Sequence, residues 1–228
     1  MFQDIYLRYR SGCMGLYFMD DLNQLVFLGT TFVVHPDGYL LTAAHAIAPA
    51  VTMQKELMVV SVPPEEDFLP MISSSFRAVP VNIAQIDKEH DIALLEFTDD
   101  VGINMPDHII GVPDAIPTGT GVACLGFPFG FQCIYNQVLQ QAVVSAKILS
   151  ANGTRLFLFD SRVQDGSRGA PLISMEDQRV LGVVSGRFDS FEASPVEEKD
   201  RGMPTSFSYA VSIEYAVPLM EAQGLEVV

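Results

Sequence analysis

The chain has 228 residues, 49% hydrophobic and 18% charged, which is ample material for a buried core and too little charge for a disordered chain. Its net charge of -15 argues against nucleic acid and anionic membrane as partners, because both need lysine and arginine to displace counterions. Much of the acid is local, in Pro64-Glu65-Glu66-Asp67 and over residues 189–200, and reads as solvated loops.

The N-terminal ten residues contain no continuous apolar stretch that could serve as a secretory core, and no later run reaches the length of a membrane span. The three cysteines, Cys13, Cys124 and Cys133, cannot all pair within one chain. A soluble, cytoplasmic protein is expected, in a reducing compartment. Residues 25–34 form the first predicted strand, followed by the hairpin turn His35-Pro36-Asp37-Gly38 and a return strand over 39–42. A single helical turn is expected after Ala43-Ala44-His45. Further strands are predicted over 56–62, 76–86, 92–97, 122–127, 138–149, 156–159, 180–185 and 209–213. Residues 113–120, rich in Pro, Gly and Thr, divide the strands into two groups and read as a linker. A helix is expected over 213–223, interrupted early by Pro218. Many short strands with little helical periodicity predict an all-β barrel or sandwich.

Three segments could carry chemistry. His45 follows a predicted strand on small residues that allow close packing, a placement that suits a general base and equally a histidine packed at a strand end. Asp91 opens the apolar run Ile92-Ala93-Leu94-Leu95, where a partly desolvated carboxylate could orient an imidazole or simply start a strand. Asp165-Gly166-Ser167-Arg168-Gly169-Ala170-Pro171 is a tight turn of small residues around one central side chain, whose backbone N–H groups could converge on an oxyanion. His35, His90 and His108 make no metal-ligand spacing with one another or with the cysteines. No metal or cofactor is expected, and no signal sets the oligomeric state.

The order His, Asp, turn, with Thr42-Ala43-Ala44-His45, Asp91-Ile92-Ala93-Leu94-Leu95 and a Gly-x-x-Gly-x-Pro turn, resembles the trypsin-like, chymotrypsin-fold serine proteases. Leu125-Gly126-Phe127-Pro128-Phe129-Gly130 and Val143-Val144-Ser145 are similar to the HtrA/Deg branch of that family. The resemblance runs from about Gly29 to Pro218. It implies two six-stranded antiparallel β-barrels and a short C-terminal helix in one domain, with a first barrel over about 1–112, the linker over about 113–120 and a second barrel over about 121–228. It also implies His45 as general base, Asp91 as its orienting carboxylate, an oxyanion hole from the N–H groups of Gly166 and residue 168, and Ser185 on the strand that pairs with a polypeptide substrate or peptide ligand.

The family's turn reads Gly-x-Ser-Gly-Gly-Pro, so the nucleophile slot falls on Arg168. Asp160, eight positions earlier, keeps the same register as an aspartate that HtrA-like proteases tend to carry. A guanidinium has only donors and no lone pair with which to attack a carbonyl. The expectation is therefore a serine endopeptidase domain that is inactive as written, or a pseudoprotease that binds a peptide or partner, with Arg168 projecting into the cleft against a carboxylate. Arg162, six before the slot, stands where the family floors its primary specificity pocket and would favour acidic side chains. The resemblance covers a protease domain alone, and no Ile-Val-Gly-Gly segment points to activation by N-terminal cleavage.

Overall fold

The computed structural model describes residues 2–62, 68–71, 77–99, 101–103, 105–106, 108–188 and 206–227. The acidic segments at 64–67 and 189–200, and Phe76 at the start of one predicted strand, lie outside the described residues.

The first six strands are β1 (Cys13–Met19), β2 (Leu25–His35), β3 (Tyr39–Ala43), β4 (Leu57–Val60), β5 (Ala78–Asp87) and β6 (Ile92–Phe97). They close a barrel in the order β1-β2-β3-β6-β5-β4, every pairing antiparallel. A second closed barrel follows the 3-10 turn Pro113–Ala115. It consists of β7 (Gly121–Gly126), β8 (Val138–Leu149), β9 (Arg155–Phe159), β10 (Pro171–Ser174), β11 (Val180–Arg187) and β12 (Ser208–Ser212), in the order β10-β11-β12-β9-β8-β7. This is the expected pair of six-stranded antiparallel barrels.

The near-continuous apolar character of the central strands has a direct cause. In a strand, successive side chains point to opposite faces. Leu40, Ala93 and Leu95 fill the first barrel, whereas Leu41 and Leu94 face a separate apolar cluster that also takes Leu125, Phe127 and Val183 from the second. Leu172 and Val184 line the interior of the second barrel. Closure buries one face of each such strand and barrel-on-barrel contact buries the other, so β3 and β6 need no polar face.

The helices differ from expectation. Helix α1 (Phe2–Tyr9), unpredicted, buries Ile5 and Tyr9, and the Tyr9 hydroxyl donates to the carbonyl of Gln178 at 2.6 Å. Helix α2 (Ala44–Met53) runs ten residues instead of one turn. Alanines at 44, 46, 48 and 50 supply enough helix propensity to carry the segment through Pro49. At the C-terminus, residues 213–216 form a 3-10 turn and only Val217–Glu221 is α-helical, as α3. Pro218 sits in the first turn of α3, where its missing N–H costs nothing, so it opens the helix rather than interrupting it.

Candidate active site

His45 is the second residue of α2, which starts where β3 leaves the barrel wall. The N-cap residue, Ala43, offers no side-chain acceptor, so the first-turn N–H groups need a partner from elsewhere. Asp91 supplies it. Its backbone carbonyl accepts from the N–H of Ala44 at 3.1 Å, and its Oδ1 accepts from the N–H of His45 at 2.8 Å. Asp91 manages both with φ at 56°, a left-handed conformation that aspartate tolerates better than most residues.

The same carboxylate faces the imidazole, with His45 Nδ1 at 2.9 Å from Oδ1 and 2.8 Å from Oδ2. With Nδ1 engaged, Nε2 is the ring nitrogen left for chemistry, on a side chain 39% exposed. Ser185 Oγ donates to Asp91 Oδ2 at 2.9 Å. Helix start, ring and buried β11 hydroxyl thus fix one carboxylate from three directions. Two residues with no sequential relation to each other, 46 apart, share this contact.

The turn expected to carry the oxyanion hole is a single 3-10 turn, Asp165–Ser167, with Arg168 following it. It is fastened to the first barrel. The Thr30 hydroxyl donates to the carbonyl of Gly166 at 2.8 Å, and the Thr30 N–H donates to the carbonyl of Arg168 at 2.8 Å. Gly166 is required, since a Cβ there would stand 2.1 Å from the carbonyl oxygen of Phe127. Gly169 is required twice over, with φ at +85° and a Cβ position 2.1 Å from the Thr30 carbonyl oxygen. Within the turn, the N–H of Arg168 donates to the carbonyl of Asp165 at 3.2 Å. That amide is therefore committed inside the turn.

Ser167 is 1% exposed. The Arg168 side chain is half-exposed and its Nη2 donates to Asp165 Oδ1 at 3.1 Å. Arg162 is exposed in the segment after β9. Asp160 Oδ1 accepts from the N–H of Val143 at 2.7 Å, joining that segment to β8. An open cavity of about 770 Å³ adjoins Asp91, lined among others by Ser185, Arg187, Leu156, Phe188 and Tyr209. Beside it, β11 pairs with β12 along Gly182–Arg187 and with β10 only up to Val183. Among the described residues, the other edge of β11 from Ser185 onward carries no strand.

Sequence reasoning missed Thr30 and gave Thr42, named only within its motif, no role of its own. Thr42 Oγ1 donates to the carbonyl of Thr30 at 2.8 Å, and both side chains are fully buried. The available signal was a pair of hydroxyls, Thr30 and Thr31, inside the otherwise apolar run of β2, because a buried hydroxyl needs a specified partner.

Two barrels with a His-Asp pair between them define a protein of the trypsin-like peptidase class. A model of the trypsin-like peptidase domain matches residues 29–183, more than half of the chain, and the chain belongs to that family. Among curated proteins it is 27% identical over 164 residues to a probable periplasmic serine endoprotease, DegP-like, of Pseudomonas putida, covering 71% of this chain and 29% of that protein. It is 26% identical over 160 residues to the DegP-like protein of Hahella chejuensis, covering 69% and 29%. The chain thus spans about 29% of the length of these relatives. Among solved structures, the HtrA-type protease AlgW with decapeptide superposes with a TM-score of 0.69 at 19% identity, covering 97% of this chain and 67% of that one. The serine endoprotease from Yersinia pestis gives 0.67 at 17% identity, with 97% and 66% covered.

Proposed function

We propose that this chain is a serine-endopeptidase framework that holds polypeptide in its cleft without cutting it. What carries the reading is Arg168 at the position that the resemblance aligns with the family's nucleophile, in a chain that keeps the His45–Asp91 contact. In the family's chemistry a hydroxyl gives its proton to imidazole Nε2 as it attacks the carbonyl, and the carboxylate stabilises the imidazolium formed. A guanidinium has no lone pair for that attack and no proton that imidazole can remove. Ser167 is no substitute, being buried one residue away. Without the nucleophile, about a thousandfold to ten-thousandfold over water is all that the rest of such a site retains.

Binding needs less. The edge of β11 at Ser185, which carries no strand among the described residues, offers backbone groups to an extended peptide, which would add as a further antiparallel strand. Superposition on HtrA-type proteases held with tripeptide and with decapeptide supports a polypeptide ligand.

Fluorophosphonate labelling and hydrolysis of an unfolded protein test the reading. The unaltered chain should neither label nor cleave, and Arg168→Ser should gain labelling. Cleavage by the unaltered chain would overturn the proposal. A folded Arg168→Ser variant that stays unlabelled would show that the inherited site is not the one assigned.

A further inference from the structure

The geometry points to a carboxylate-recognition site formed by Arg168 and Arg187, which receives the acidic end of the peptide that the cleft holds; this rests on the peptide-binding reading above. Both guanidinium groups are directed at one atom. Arg168 Nη2 lies 3.1 Å and Arg187 Nη2 3.8 Å from Asp165 Oδ1. Among the described residues, two cations share a single carboxylate here, a local excess of positive charge in a chain whose overall charge is -15. Each guanidinium carries five N–H donors in a planar fork suited to bidentate carboxylate binding. A single hydrogen bond, from Arg168, takes up any of them on Asp165.

The internal partner is easily displaced. All three side chains are partly open to water, at 37% for Arg168, 45% for Arg187 and 51% for Asp165, and an ion pair so exposed contributes little. Asp165 therefore marks where a carboxylate binds without holding the position strongly.

Placement decides what kind of carboxylate. Arg187 ends β11 and also lines the 770 Å³ cavity. A strand added along Ser185–Arg187 would run past Leu156, Phe188 and Tyr209 in that cavity, and Arg187 links the cavity lining to Arg168 through Asp165. Glu89 lines the cavity too and repels a second acid there. The Asp91 carboxylate is already satisfied by the His45 N–H, the His45 ring and Ser185. The chemistry selected is an extended peptide with apolar side chains followed by a carboxylate. That group is either a free C-terminus or a glutamate or aspartate side chain.

Fluorescence polarisation with three labelled degenerate pentapeptide pools tests this: C-terminal acid, C-terminal amide, and C-terminal amide with Glu fixed at the last position. One or both acidic pools should bind about tenfold more tightly than the plain amide. Preference for the free acid alone identifies a C-terminus, preference for the Glu amide alone a side chain. Arg187→Gln and Arg168→Gln should each bring the acidic pools down to the affinity of the plain amide pool. Asp165→Asn, which removes the competitor, should strengthen the acidic pools. Equal saturable binding of all three pools overturns the carboxylate site and leaves the peptide-binding reading intact. No saturable binding of any pool, including to Asp165→Asn, overturns both.

Discussion

The hydroxyl of Thr30 donates at 2.8 Å to the carbonyl of Gly166, 136 residues further on, and accepts at 3.1 Å from the N–H of Phe127. One buried side chain in the first barrel thereby holds both the site turn and the end of β7 in the second. Thr30→Val keeps the shape but leaves a buried donor and a buried acceptor without partners. It should cost about 2–3 kcal/mol in urea-induced unfolding. A loss under 0.5 kcal/mol would mean that the turn is held by other contacts.

Asp91 combines a left-handed backbone with acceptors for the N–H of His45, the His45 ring and the Ser185 hydroxyl. Asp91→Ala loses all three bonds and places a residue poorly suited to that backbone, an expected loss of about 2 kcal/mol. Asp91→Asn keeps one acceptor oxygen and tolerates φ at 56°, so its loss should be no more than about half as large. Equal losses in matched chemical denaturation curves would argue against the capping role.

The cysteines should separate cleanly by reactivity. Cys13 and Cys124 are buried and Cys133 is exposed. Burial pushes the Cys124 thiol up to about 12. The Cys13 thiol, also raised chiefly by burial and then by Cys124, donates to the carbonyl of Leu125 at 3.2 Å. A thiol-specific disulfide reagent reacts through the thiolate. It should therefore modify one thiol per native chain and all three only after unfolding. Rapid reaction of two or more in the folded protein would contradict this arrangement.

The turn preceding Asp91 should give the protein an acid-sensitive element. Burial raises the pKa of Asp87, but bonds from the backbone and ring of His90, the charge of His90 and the N–H of Glu89 outweigh it. The carboxyl is held below its ordinary 3.8. The folded value being depressed, this stabilisation is fully present above 3.8 and is lost as pH falls through the folded value. Asp87→Asn should therefore be less stable than the unaltered chain at pH 7, with the gap narrowing once the pH drops below the ordinary aspartate value. Thermal melts across pH 2 to 7 on both proteins check the sign, and a gap that widens in acid would refute it.

Local pattern carried much of this molecule. The Asp37-Gly38 hairpin, the run 92–97 and the strand 138–149 were visible because turn chemistry and β-branched runs are encoded within a few residues. His45, Asp91 and the glycine turn were found through their motifs. Elements lacking a local signal were missed. Strand β1 shows no polar–apolar alternation, because six of its seven positions face one apolar core or another or pack tightly against it. Strand β10 begins at Pro171, a residue that reads as a strand breaker yet is tolerated at a strand's first position.

Residue identity and short-range spacing were enough to read an all-β chain of many short strands and the chemical types of the candidate site residues, while the pair of barrels and the alignment of Arg168 with a nucleophile position came from the family resemblance. That Asp91 caps α2 while gripping the His45 ring, that Thr30 anchors the turn, and that Arg168 and Arg187 meet at Asp165 became visible only with the strands closed into barrels. The first two join residues 46 and 136 positions apart, and the last joins a turn to the end of a different strand. Barrel closure sets such distances, and no local pattern records them.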